Sequence, residues 1–210
     1  HSDKLKEMAE CMFSLLSKKG TIIIEVQYLM NTLKDLTFDN IYHEHYNYWS
    51  LTSLVYFFKQ FNATIFRTEK IETHGGSIRI YLKKAKKVKI EKSVKEMLRE
   101  EENFGIKDFR TYKNFGDKVY KIRENVLSNI KKIKKNNKKI IGYGASAKAV
   151  TILNYCNLDF EDECLSFYKN KRSVRTPSSE QVRQPIYKKG LDYWKNYDAY
   201  LGDLKRDLKY

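Results

Sequence analysis

Lys18-Lys19-Gly20-Thr21-Ile22-Ile23-Ile24-Glu25-Val26 is the stretch that decides the fold. The basic pair and the glycine read as the end of a helix. The β-branched run behind them reads as a short strand buried on both faces, as in a parallel sheet. Upstream, Leu5, Met8, Met12, Leu15 and Leu16 recur at helical spacing, which predicts a helix of roughly 15 residues. Helix, tight glycine and buried strand, with Glu25 near the strand's C-terminal end, make an αβ unit. Such units build open α/β sheets, whose ligands collect beyond the carboxyl ends of the strands.

Beyond that strand comes Phe38-Asp39-Asn40-Ile41-Tyr42-His43-Glu44-His45-Tyr46-Asn47-Tyr48-Trp49-Ser50, which holds two of the four histidines, a Glu between them and three tyrosines. Imidazole is the usual general base near neutral pH, a neighbouring carboxylate can set its tautomer, and a phenol can donate to developing negative charge. On a helix Tyr42 and His45 would share a face. On a strand Tyr42, Glu44 and Tyr46 would share one face and His43 and His45 the other. Both conformations stay open, as does the plainer reading of an aromatic connection between core elements.

Next, Ser50 or Thr52 can cap a helix whose Leu54, Val55, Phe57, Phe58 and Phe61 form one apolar face. Residues 63–67 and 77–82 read as strands able to pair antiparallel, joined through Thr73-His74-Gly75-Gly76. The doubled glycine is either a plain turn or a place where backbone approaches a ligand, with His74 beside it as a contact. Residues 83–135 hold no proline and carry two or more helical patterns, including Val94, Met97 and Leu98, then Phe115, Val119, Ile122, Val126 and Ile130. Residues 138–148 read as a strand entering a glycine turn and a helix. There Gly142, Gly144 and Ala147 match the GxGxxA form of a diphosphate-binding turn, with Lys148 as added charge and Asp159 or Glu161 as a ribose partner. Past Asn157 the sequence turns polar and irregular.

Composition bounds the rest. The 210 residues carry a formal charge of +15 and are 41% hydrophobic, enough for a real core in one large or two small domains. Many lysines alternate with glutamates in helical stretches, which describes a solvated basic surface rather than a specific nucleic-acid site. Cys11, Cys156 and Cys164 form neither a CxxC pair nor a secreted framework, so a cytoplasmic protein without a structural metal is expected. No apolar run is long enough to span a bilayer.

Taken together, EVQYL (25–29), FDNIYHEHYNYWSL (38–51), THGGSIRIY (73–81) and GYGASAKAVTILNYC (142–156) resemble, in this order, the bacterial C-methyltransferases that act on nucleotide-linked deoxysugars. The resemblance spans roughly residues 1–157. It implies an α/β chain made of the end of a class I methyltransferase sheet (1–82), a helical bridge (83–135) and a Rossmann-like C-terminal domain (136–210), divergent after about residue 157. The strand at 21–26 would be the fifth of that sheet and the pair at 63–67 and 77–82 the last two. The cofactor implied is S-adenosylmethionine, its main glycine-rich loop expected upstream of His1, so the chain as written is expected to be inactive alone. The partner implied is a nucleoside diphosphate 4-keto sugar, deprotonated next to the ketone. His45 would be the base, Glu44 would orient it, and Tyr42 would hydrogen-bond the enolate oxygen. His74, Gly75, Gly76, Ser77, Gly144, Ser146 and Lys148 would hold the sugar nucleotide. A nicotinamide-dependent enzyme using the GxGxxA turn and a basic nucleic-acid-binding module are the alternatives.

Overall fold

The computed structural model describes residues 2–42, 44–72, 75–85, 88–140 and 147–158. The chain divides into two compact units, residues 1–141 and 142–210. In the first, three strands, β1 (Ile22–Gln27), β2 (Thr64–Ile71) and β3 (Ser77–Lys83), form a sheet in the order β1-β3-β2. Five helices accompany it: α1 (Leu5–Leu15), α2 (Leu29–Asp35), α3 (Leu51–Lys59), α4 (Lys92–Phe104) and α5 (Phe109–Lys135). Of the second unit the structure describes α6 (Ala147–Tyr155) and the residues just after it.

β1 departs from its sequence reading. It is not a parallel strand buried on both faces: it pairs antiparallel with β3, from Ile22 opposite Leu82 to Gln27 opposite Ser77, and its other edge is unpaired among the described residues. Ile22, Ile24 and Val26 are half-buried, while Glu25 is exposed and Ile23 is 58% exposed. Isoleucine fits a pleated strand by shape on either face, so a run of β-branched residues hides the alternation that would have revealed a one-sided strand. β2 and β3 pair antiparallel as expected from their alternation, with a bulge between Ile65 and Arg67.

One sheet face and the helices enclose the core. Ile65, Ile78, Ile80 and Leu82 meet Ala9 and Phe13 of α1, Leu51, Leu54 and Phe58 of α3, and Val94 and Met97 of α4. Phe58 meets Phe13 edge to face at 6.3 Å. In α1 the stripe is rotated from the predicted one. Ala9 and Phe13 are buried, whereas Met8 is 45% and Leu15 87% exposed. Gly20, read as the helix stop, lies beyond it: α1 ends at Leu15, and Gly20 donates to the Ser17 carbonyl at 2.9 Å.

The opposite sheet face is polar. Arg79 reaches Glu25 at 2.8 Å and Glu69 at 3.4 Å, tying β1 to β3 and β3 to β2. Tyr81 donates to Glu69 at 3.0 Å, and Arg67 lies 4.9 Å from the centre of the Tyr81 ring. Glu25, near the carboxyl end of β1, is thus an ion-pair partner on the open face.

Candidate functional site

Two segments meet at the carboxyl end of β1. The Tyr28 N–H donates to the Gly76 carbonyl at 3.1 Å, and the next N–H, of Leu29, donates to the Trp49 carbonyl at 2.8 Å. The β2–β3 turn and the His45 loop are therefore stapled to consecutive residues at the end of β1. Each segment is held from its other side as well.

The loop leaves α2 through a 3₁₀ turn, Phe38–Asn40, and then runs irregularly to Ser50, so it is neither of the regular conformations open from sequence. A turn closed by His45 N–H on the Tyr42 carbonyl at 3.0 Å brings the Tyr42 and His45 rings to a centroid distance of 4.2 Å. His45 Nδ1 lies 2.7 Å from the Asn40 carbonyl oxygen, which also accepts from the Tyr48 hydroxyl at 3.4 Å. Tyr48 meets the His45 ring edge-on, with centroids 6.3 Å apart. Asn47 donates to the Ser2 carbonyl at 3.0 Å, tying the loop to the chain before α1.

Both phenols hold their protons tightly. Burial pushes Tyr42 above the ordinary phenol range, and the nearby Glu44 and then Asp39 carboxylates push it further. Burial moves Tyr48 to about 12, against a lowering contribution from the Tyr42 backbone. A protonated phenol is a hydrogen-bond donor, which is what a developing oxyanion requires. The Glu44 carboxylate lies close enough to Tyr42 to act on it, so two of the three residues predicted for the chemistry meet as rings and the third bears electrostatically on Tyr42.

The loop ends at α3, and its exit is clamped. Ser50 caps the helix by accepting from Ser53 N–H at 3.1 Å. Glu101 of α4, fully buried, accepts from Leu51 N–H at 2.5 Å, Thr52 N–H at 2.8 Å and the Thr52 hydroxyl at 2.6 Å. All three N–H groups of the first turn are thereby satisfied, and negative charge sits at the positive end of the helix. The buried Tyr28 side chain is raised well above the phenol range, first by desolvation and then by this Glu101 carboxylate. Thr52, a candidate cap from sequence, bonds Glu101 instead.

In the β2–β3 turn Gly75 and Gly76 both have positive φ, 80° and 99°. Their surroundings differ. A Cβ on Gly75 would meet open space, whereas one on Gly76 would fall 1.9 Å from Asn31 Nδ2, so Gly76 makes room for the side chain of α2. Ser77 is buried beside it. Gly75, Gly76 and Ser77 thus lie at the same strand end as the His45 loop, joined to it through Tyr28 and Leu29.

His43, His74, Gly144 and Ser146 lie outside the described residues, and Lys148 is exposed on α6 in the second unit. The residues that sequence reasoning missed are Asn40, Tyr48, Tyr28, Asn31 and Glu101. Glu101 carried a signal: it continues the apolar stripe Val94, Met97, Leu98 at the next helical step, where a carboxylate is out of place unless it is paired. A depression of about 410 Å³ lined by Glu124, Leu127, Ser128, Lys131, Lys132 and Lys135 lies on α5 and holds none of the candidate residues. No helix among the described residues is long and apolar enough to cross a membrane.

Comparison with known proteins adds the family. A family profile described as the C-methyltransferase C-terminal domain matches residues 72–189. The chain is 32% identical over 163 residues to the C-methyltransferase NovU of Streptomyces niveus, a match covering 77% of this chain and 39% of NovU. It is also 44% identical over 50 residues to an uncharacterized protein of Aquifex aeolicus, covering 24% of this chain and 7% of that protein.

Proposed function

We propose, on the premise that this chain belongs to the C-methyltransferase family, that the whole protein methylates the carbon next to the ketone of a 4-keto deoxysugar carried on a nucleoside diphosphate. The observation that carries the reading is the pairing of Tyr42 and His45, 4.2 Å apart, on a loop stapled to the same strand end as the Gly75–Ser77 turn. His45 removes the proton from that carbon. Tyr42, kept protonated by burial and by Glu44, donates to the oxygen as the ketone becomes an enolate, a contact worth about 3 kcal/mol when aligned. Glu44 then faces the imidazolium that forms, and the enolate carbon is the nucleophile. His74, Gly75, Gly76 and Ser77 hold the sugar nucleotide from the turn. The cytoplasm is the compartment that goes with this reading.

In this reading S-adenosylmethionine supplies the methyl group when bound. The described residues do not make a cradle for it: of the two glycines of the β2–β3 turn, Gly76 is filled by Asn31 and Gly75 faces open space. No residue here is assigned to the cofactor, and the chain spans 39% of NovU's length. Support for the substrate class comes from the residue types at the strand end and from the ordered motifs. The full-length protein carrying His45→Asn tests it, with methyl transfer to 4-keto nucleotide sugars as the assay. Turnover is expected to fall by about 10² to 10⁴ with substrate affinity largely kept, because the base acts in the chemical step. Undiminished kcat in that variant would remove His45 from the reaction.

A further inference from the structure

We infer that the main-chain carbonyl of Asn40 holds His45 as its Nδ1–H tautomer, which makes Nε2 the nitrogen that takes the substrate proton and Asn40 a positioning residue. A carbonyl oxygen can only accept. At 2.7 Å from it, Nδ1 must therefore carry hydrogen, and in a neutral imidazole the lone pair then belongs to Nε2. A free histidine side chain in water favours the opposite tautomer, so the Nδ1–H form is imposed by this site.

The local chain geometry explains why that carbonyl is available. Asn40 is the last residue of the 3₁₀ turn, fixed by its own N–H on the Thr37 carbonyl at 3.1 Å, and Ile41 N–H returns to Phe38 at 2.9 Å. The backbone then leaves the helical path at Ile41, with φ −89° and ψ 89°, and among the described residues no backbone N–H claims the Asn40 oxygen. Asn40 is 3% exposed, and a hydrogen bond shielded from water is electrostatically stronger than one in it. Tyr42 across the ring face and Tyr48 at its edge restrict the tilt of the imidazole about that bond. Tyr48 contributes a second, longer donor to the same oxygen, 3.4 Å away.

The assignment of Nε2 as base rests on the proposed function; the tautomer does not, and the two are separable by experiment. Long-range ¹⁵N–¹H correlation spectra of the ¹⁵N-histidine-labelled chain, recorded near pH 8.5 where imidazoles are ordinarily neutral, read the tautomer in the resting protein. His45→Gln assigns the signal. The Nδ1–H form is expected to exceed the Nε2–H form by about tenfold or more, which corresponds to about 1.4 kcal/mol. It is expected to persist in Tyr48→Phe and in Glu44→Gln. A predominant Nε2–H form in the unmodified chain overturns the inference. A switch of tautomer in Glu44→Gln would move the orienting role from Asn40 to Glu44 and overturns it equally. The Nδ1–H tautomer in a full-length protein whose His45→Asn variant keeps full turnover would instead sink the base assignment alone.

Discussion

Replacing Glu101 by alanine should unfold the first unit far more readily than its surface appearance in the sequence suggests. The carboxylate is fully buried and accepts three bonds at 2.5, 2.8 and 2.6 Å, two of them from backbone N–H groups of α3. The Thr52 hydroxyl can turn elsewhere; the two N–H groups cannot, because Ser50 already serves Ser53. Leaving each buried donor unpaired costs about 1–3 kcal/mol. Losing a carboxylate from the positive end of a partly buried helix adds up to about 2 kcal/mol. A total of about 2–8 kcal/mol follows, a large share of the roughly 5–15 kcal/mol that holds a typical domain. Glu101→Gln keeps the shape and one acceptor but turns an NH₂ toward a donor, so about half that loss is expected. Urea unfolding followed by Trp49 fluorescence in a Trp194→Phe background reads the change where α3 begins. A loss below about 1 kcal/mol for Glu101→Ala would refute the reasoning, since that is the size of an exposed cap.

Gly76→Ala and Gly75→Ala should separate although both residues have positive φ. The backbone cost of about 1 kcal/mol is common to both, but only at Gly76 would the new Cβ meet Asn31; equal thermal shifts would refute the difference. Stability should also fall in alkali. Tyr48 titrates near 12 when folded and Tyr28 is raised too, so unfolding releases protons that the folded state retains. The stabilisation is complete below the ordinary phenol range near pH 10 and is lost as pH rises toward 12; a flat denaturation midpoint from pH 9 to 11.5 would contradict the burial of these phenols. Polynucleotide binding should be weak, indiscriminate and steeply reduced by salt, as for a generic basic surface; tight, sequence-dependent binding at physiological salt would point to a dedicated site.

What the sequence made legible were the features with a local physical signature. Ser50 as a cap, the Leu54 and Phe58 face of α3, the β2–β3 pairing and the two helices after residue 83 each depend on spacing within a few residues. β1 was misread because four β-branched residues in five conceal which side faces water; orientation there is set by a distant partner, as at Ile24 and Ile80, beyond the reach of any window. The α1 stripe was rotated for a related reason: Leu15 is apolar yet exposed, while the smaller Ala9 is what the close packing admits. The His-Glu-His run drew attention by residue type, but its geometry comes from carbonyls at Asn40 and Tyr42, and backbone oxygens leave no mark in composition.

The hydrogen bonds of Tyr28 and Leu29 have a consequence for how the molecule can be altered. These two residues are one peptide unit apart, about 3.8 Å along the chain, and each grips a different segment. The two N–H groups sit in adjacent peptide planes hinged at the Tyr28 Cα, so a small rotation there moves the glycine turn and the histidine loop relative to each other. Substitutions at Asn31 or Gly76 should therefore adjust the position of the imidazole without touching it.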